Sequence, residues 1–284
     1  MKELKTVAVI GAGTMGLGIA QVSAMAGFPT ILYDTNSSVV ETAFTTIEKN
    51  LDKGIERGKL SATTKQIALN NLTKASQLEE VKADLIIEAI LENLEIKQSL
   101  FAQLEEINSE QTILATNTSS IPITQIAAKL KRPQQVVGLH FFNPAHIMKL
   151  VEVISGAATH VDVVTKATDF AKIIGKTAVK AADSPGFIVN RVARHFYVEG
   201  LKTLEEGVAK VDGIDRLMEA SGFKMGPFRL MDLIGVDTNF SVTSSMFNAF
   251  HQDSKFRPSR IQQQKVDAGY WGRKSGKGFY EYET

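Results

Sequence analysis

Val7-Ala-Val-Ile-Gly11-Ala12-Gly13-Thr14-Met15-Gly16-Leu-Gly-Ile-Ala20 decides how this chain is read. An apolar, mostly β-branched run enters Gly11-x-Gly13-x-x-Gly16, and helix-forming residues continue to about residue 26. A strand, a glycine turn and a helix in that order are what a dinucleotide site requires. Gly11 permits the tight turn, Gly13 lets a pyrophosphate approach the backbone, and Gly16 lets the helix pack closely on the strand. The N–H groups that open the helix then face the phosphates at the positive end of its dipole.

A glycine turn alone is weak, and the next stretch strengthens it. Thr30-Ile-Leu-Tyr-Asp34 reads as a second strand ending in an acid, 18 residues past Gly16. A carboxylate there accepts the ribose hydroxyls of adenosine and repels a 2′-phosphate. No arginine follows in Thr35-Asn-Ser-Ser38, so NAD is expected rather than NADP. The bland alternative is an ordinary turn followed by a strand-end aspartate.

Composition narrows the classes. The 284 residues suffice for two domains and a sizeable core. A formal net charge of +1, with no charged block, argues against nucleic acid or a membrane surface as partner. With no cysteine there is neither a disulfide nor a thiolate metal site, and no metal is expected. The chain enters its first strand almost at once, leaving no room for a signal peptide, and no apolar run approaches a membrane span. The expectation is a cytoplasmic protein.

Helical spacing recurs from about residue 37 to 57, with Ser37 or Ser38 as cap and Val40, Phe44, Ile47 and Leu51 on one face. Residues 62–70 read as the second arm of a helical hairpin. Lys49, Lys53 and Arg57 make a basic stripe beside Glu48, Asp52 and Glu56, and Lys49–Asp52 and Lys53–Glu56 are spaced to pair. This reads as a solvated face, or as a landing site for a phosphorylated substrate tail. Short strands are expected at 84–89, 112–117, 136–142, 149–154 and 177–180, with helices after Glu92 and near 161–174. Asp183-Ser-Pro-Gly186 marks a boundary. Residues 187–207, 212–221 and 238–250 then read as helices. The fold class expected is α/β, a Rossmann-type doubly wound sheet over 1–183 with a helical hairpin insertion, followed by a mainly α-helical domain over 184–284.

Ligands of doubly wound sheets sit beyond the carboxyl ends of the strands. That directs attention to Asp34, Glu92, Asn117, Ser119, His140 and Asn143. Oxidising an alcohol with a nicotinamide requires a base for the hydroxyl proton, and imidazole titrates nearest working pH. A lone histidine at a strand end is more often a hydrogen-bonded core group. Glu152 alters that balance, because a carboxylate between Val151 and Val153 is costly to bury without a partner. If the two strands pair, Glu152 can orient His140 and stabilise the imidazolium. The competing reading is an edge-strand glutamate facing solvent.

GAGTMG, EAILENLEIK, NTSS, GLHFFNPAHIMKLVEVI, DSPGFIVNR, MGPFRLMD and GRKSGKGFYEY, in that order, resemble the 3-hydroxyacyl-CoA dehydrogenase family from about Lys5 to Tyr282. The length is similar to that of its bacterial 3-hydroxybutyryl-CoA members, without the fused hydratase of multifunctional relatives. The resemblance implies that His140 is the catalytic base, that Glu152 holds it, and that Ser119 hydrogen-bonds the 3-oxygen of the substrate. It implies that Asn190 polarises the acyl group. NAD contacts are implied at Gly11, Ala12, Gly13, Thr14, Met15, Gly16, Asp34, Glu92, Lys97, Asn117, Asn143 and Lys274, and CoA-tail contacts at Asn50 and Arg57. Without the family, Ser119 reads as a helix cap, Asn190 as a surface helix residue, Glu92 as a helix N-terminal acid and Lys97 as a solvent lysine.

Two positions depart from the family pattern. His146 stands where a proline or small residue is usual, and Arg229 where an acid is common; both bear on acyl-chain preference. The expected activity is NAD-dependent interconversion of an (S)-3-hydroxyacyl-CoA, 3-hydroxybutyryl-CoA above all, and its 3-oxoacyl-CoA, in a homodimer joined through the helical domain. A dehydrogenase of a free hydroxy acid such as gulonate, and a non-catalytic crystallin-like relative, are the alternatives.

Overall fold

In the computed structural model, which describes residues 4–283, the apolar runs become strands wherever they are short and β-branched. The first unit runs to Ser184 and the second begins at Pro185. In chain order the first holds β1 (Val7–Ile10), α1 (Thr14–Met25), β2 (Thr30–Tyr33), α2 (Ser37–Glu56), α3 (Ala62–Asn71) and β3 (Leu72–Lys74). It continues with β4 (Leu85–Glu88), α4 (Leu94–Ile107), β5 (Ile113–Thr116), α5 (Ile123–Ala127), β6 (Val136–Phe141), β7 (Leu150–Ser155), α6 (Val161–Ile173) and β8 (Thr177–Ala182).

All eight strands form one sheet in the order β3-β2-β1-β4-β5-β6-β7-β8. From β3 to β6 every pairing is parallel; β7 runs antiparallel to β6, and β8 parallel to β7. This is the doubly wound α/β class expected. The order reverses between β1 and β4, the place where such sheets open a crevice for a ligand. The central strands β1, β4 and β5 are buried at every position, as strands covered on both faces must be. Ile47 and Leu51 lie fully inside, each burial contributing about 1.5–3 kcal/mol relative to exposure.

Several local expectations are corrected. Asn36, not Ser37 or Ser38, caps α2, its side-chain oxygen accepting from the Ser38 N–H at 3.1 Å. Asp52 and Glu48 are taken by Lys65 of α3, at 2.6 and 3.4 Å, rather than Asp52 by Lys49. For Asp52, a tertiary partner on the facing arm of the hairpin takes the place of the pair with Lys49 that helical spacing favours. The three-residue β3 was not foreseen, because it is too short to carry a periodic signal. Glu152 does not lie on an edge: β7 is covered on both sides by β6 and β8, and the edge is β8.

The second unit is helical: α7 (Val189–Glu205), α8 (Val211–Ala220), α9 (Pro227–Ile234), α10 (Val236–Ala249) and α11 (Arg260–Asp267). Tyr197, Leu201, Ile214, Phe228 and Met231 form its core. α9 and α11, eight residues each, escaped the sequence reading. Two buried carboxylates dock the C-terminal segment. Asp232 accepts from the N–H groups of Phe279 and Tyr280 and the Tyr282 hydroxyl, all at 2.9 Å, and Asp215 from the Tyr280 hydroxyl at 2.7 Å.

Candidate active site

The glycine turn has steric causes on each side. Gly11 takes φ +96°, and a Cβ there would stand 2.6 Å from the Ala89 carbonyl. A Cβ at Gly16 would stand 1.7 Å from the Gly11 carbonyl, so only glycine lets α1 begin this close to the turn. Gly13 is different: its Cβ would meet nothing within 4 Å, leaving an open approach to the backbone. No side chain caps α1, so the donors at Thr14, Met15 and Gly16 keep their capacity for an outside acceptor.

Asp34 lies just past β2. Its Oδ2 accepts from the Ala12 N–H at 2.8 Å and its Oδ1 from the Asn36 N–H at 3.0 Å, so the acid also braces the turn. A cavity of about 500 Å³ opens beside it, lined by Gly11, Asp34, Thr35, Leu78, Ile90 and Ile96 among others. An apolar slot next to a carboxylate and a bare glycine turn suits an adenosine and its pyrophosphate. The residues present therefore fit NAD.

At the far side of this unit, β6 and β7 set His140 directly opposite Glu152. Opposed residues of an antiparallel pair project to the same face, so the two side chains meet. His140 Nδ1 lies 2.7 Å from Glu152 Oε2. Glu152 is 1% exposed and His140 6%. A carboxylate flanked by the fully buried Val151 and Val153 needs such a partner. The Phe142 ring covers the imidazole, with centroids 4.5 Å apart.

Between these regions the loop after β5 carries Asn117, Thr118, Ser119 and Ser120. Asn117 Oδ1 accepts from the Phe141 N–H at 2.9 Å, tying the end of β5 to the end of β6. Ser119 is half-buried. Glu92 gathers the loop: one oxygen, Oε1, accepts from the Thr118 hydroxyl at 2.5 Å, the Ser119 and Ser120 N–H groups at 3.0 and 3.1 Å, and the Ser120 hydroxyl at 2.9 Å. Burial works against this carboxylate's charge, but Lys97 and these donors outweigh it and hold its carboxyl below the usual range.

Lys97 is not a solvent lysine. It is 1% exposed, and its Nζ lies 2.5 Å from Glu88 Oε1 and 3.4 Å from Glu92 Oε2. Glu88, fully buried, is the residue the sequence reading missed. The signal existed: Leu85-Ile-Ile-Glu88 ends an apolar strand in an acid, the same pattern that singled out Asp34.

The remaining site residues are placed as follows. Asn143 is exposed in the loop between β6 and β7, at a cis peptide bond to Pro144. Within that loop His146 is half-buried, and burial, then the charge of Lys176, lowers its pKa. Lys176 Nζ donates to the carbonyls of Ala145 and Met148 at 2.6 and 2.8 Å, and burial pulls its pKa down. Asn50 donates to Gln21 Oε1 at 3.3 Å, bracing α2 on α1, while Arg57 is exposed just past α2. In the second unit Asn190 is half-buried in the first turn of α7, and Lys274 pairs with Asp237 at 2.7 Å. Arg229 is engaged by Glu219 at 3.1 Å and lies over the Tyr280 ring. Among the described residues no cluster suited to a metal ion occurs, and no helix is long and apolar enough to cross a membrane.

A parallel-dominated sheet, a bare glycine turn at its switch point and an acid at the end of β2 define a dinucleotide-binding protein of the NAD class. Comparison with known proteins narrows the class. Residues 6–184 match the 3-hydroxyacyl-CoA dehydrogenase NAD binding domain and residues 186–282 the C-terminal domain of the same enzymes, so the chain belongs to the 3-hydroxyacyl-CoA dehydrogenase family. It is 50% identical to a 3-hydroxyadipyl-CoA dehydrogenase of Escherichia coli strain K12, over 100% of this chain and 60% of the relative. It is 44% identical to a probable 3-hydroxybutyryl-CoA dehydrogenase of Bacillus subtilis strain 168, over 99% of this chain and 98% of the relative. The crystal structure of 3-hydroxybutyryl-CoA dehydrogenase from Escherichia coli K12 superposes with a TM-score of 0.97 at 49% identity, over 100% of this chain and 60% of that one. The chain thus spans 60% of the length of the two Escherichia coli proteins it resembles. Its cofactor is NAD.

Proposed function

We propose that this protein interconverts (S)-3-hydroxyacyl-CoA and 3-oxoacyl-CoA thioesters with NAD, 3-hydroxybutyryl-CoA and acetoacetyl-CoA being the favoured pair. The observation that carries the reading is the buried His140–Glu152 pair in the unit that holds the NAD turn. With Glu152 accepting from Nδ1–H, Nε2 of His140 carries a lone pair and serves as the base. In the oxidative direction His140 takes the hydroxyl proton while the C3 hydrogen departs as hydride and the C–O bond becomes a carbonyl. NAD supplies the hydride acceptor. Glu152 stabilises the imidazolium that results.

In the same proposal the Ser119 hydroxyl hydrogen-bonds the 3-oxygen and the Asn190 amide polarises the acyl group. Gly11–Gly16, Asp34, Glu92, Lys97, Asn117, Asn143 and Lys274 serve the cofactor, and Asn50 and Arg57 the CoA tail. The first unit is the cofactor domain; the second serves the substrate and joins two copies into a cytoplasmic homodimer.

Steady-state assay of His140→Ala and Glu152→Ala with acetoacetyl-CoA and NADH tests the mechanism. Turnover near that of the wild type in either variant sinks it. A second reading, a dicarboxylic 3-hydroxyadipyl-CoA substrate, is favoured by the 50% identity to the Escherichia coli relative of that name. Comparing kcat/KM for the two hydroxyacyl-CoA substrates decides between them.

A further inference from the structure

Glu88 lies at the end of β4 with no exposed surface. Its Oε1 accepts from the Ile90 N–H at 2.8 Å and from Lys97 Nζ at 2.5 Å; its Oε2 accepts from the Thr116 hydroxyl at 2.8 Å. Four groups thus converge: two carboxylates, one ammonium, and a hydroxyl at the end of β5. The ammonium is the link. Lys97, on α4, reaches Glu88 closely and Glu92 at 3.4 Å.

The division of labour follows from the oxygens. Oε2 of Glu92 faces Lys97, which leaves Oε1 to bind the loop through four donors from Thr118, Ser119 and Ser120. Ser119 is held by its backbone N–H, its side chain taking no part in the clamp. The position of the Ser119 hydroxyl is therefore set by a carboxylate whose own position depends on how far Lys97 is drawn toward Glu88.

We propose that Glu88 is a positioning residue for the reaction: it holds Lys97 away from Glu92, so that Glu92 Oε1 keeps the Thr118–Ser120 loop, and with it Ser119, in place. The inference rests on the assignment of Ser119 to the substrate oxygen. A buried cation with two carboxylates goes to the one that remains charged. In Glu88→Gln the amide oxygen can keep the Ile90 N–H, its NH2 turns to the Thr116 hydroxyl as a donor, and the side chain offers Lys97 no charge. Lys97 then moves onto Glu92, and the loop loses part of its clamp.

A double-mutant cycle between Glu88→Gln and Ser119→Ala separates positioning from general damage, because residues that act as a unit are non-additive. In the wild-type background Glu88→Gln is expected to lower kcat for acetoacetyl-CoA reduction about 10-fold, beyond any change in KM for NADH that follows from moving Lys97 against Glu92. In the Ser119→Ala background the same change is expected to cost less than about 2-fold. An equal loss in both backgrounds, no loss in either, or a rise confined to KM for NADH overturns the inference.

Should Glu88→Gln fail to fold, Ser120→Ala removes one donor to Glu92 from a half-buried position. It should lower kcat about 3-fold in the wild type and leave Ser119→Ala unchanged, and additivity there overturns the inference equally. A wild type that reduces no 3-oxoacyl-CoA overturns both this inference and the function above it; an active wild type with additive variants overturns only the inference.

Discussion

Two buried charge pairs stand in the first unit, and they are built differently. His140 and Glu152 face one another across an antiparallel pair at 2.7 Å, and the imidazole keeps a second ring nitrogen that can take up a proton. Lys97 and Glu88 bridge a helix and a strand at 2.5 Å, an ammonium set against a carboxylate. A pair that can exchange a proton suits a reaction. A pair that cannot fixes geometry and supplies a constant field. The second unit offers a third case: Arg194 is buried with no carboxylate among the partners observed. It donates to the Asn239 carbonyl and the Thr243 hydroxyl at 3.1 Å and lies over the Tyr197 ring, and burial lowers its pKa to about 10.

The comparison breaks most visibly at the exchanging pair. Removing His140 should lower kcat by roughly 10²–10⁴-fold, the range of a positioned general base. Glu152 loses its buried partner, so some stability goes with it, and the check is turnover in a sample whose melting curve shows it folded. A loss of fewer than about 10-fold would place the base elsewhere.

The fixed pair should show the reverse pattern. Lys97→Met leaves the Glu88 carboxylate buried without its ammonium, and the expected cost is about 3–5 kcal/mol of stability by denaturant titration. Replacing both partners, as Lys97→Met with Glu88→Leu, should recover much of that loss. If the double variant is less stable than the single one, the pair contributes more than mutual charge compensation.

A smaller effect is expected at Asp34, whose carboxylate braces the Ala12 N–H. Asp34→Ala should raise KM for NADH about 10-fold, an effect near 1.4 kcal/mol, and narrow the preference for NADH over NADPH. An unchanged cofactor preference would detach Asp34 from the ribose.

The smallest effect concerns acid. The carboxyl of Glu92 lies below the usual range in the folded state, so folding favours its ionised form. Its contribution is complete above the unfolded value of about 4.3 and is lost as pH falls through the folded value. Glu92→Gln should therefore lower stability at neutral pH and flatten its fall below about pH 4.3. Parallel acid-unfolding curves for the two proteins would contradict this.

The parts of the molecule legible in advance are those fixed by local chemistry. A β-branched run into Gly11-x-Gly13-x-x-Gly16 has few conformations open to it, and Asp34 follows at the end of the next strand. The stretches carrying His140 and Glu152 are close in sequence, and they pair as neighbours in the sheet. Lys97 illustrates the opposite. On a helix that opens with mixed polar residues, nothing in the spacing says that its side chain turns inward.

The sequence by itself determined the doubly wound class, the NAD turn and the family, because turns, strands and motifs are written in neighbouring residues. Only the tertiary structure decided that β7 is interior, that Lys97 joins Glu88 to Glu92, and that Glu92 binds the loop of Ser119. The last two facts depend on β4, α4 and the loop after β5 meeting at one end of the sheet. Burial at that meeting point, which no single segment encodes, means that neither charge can stand there without the other.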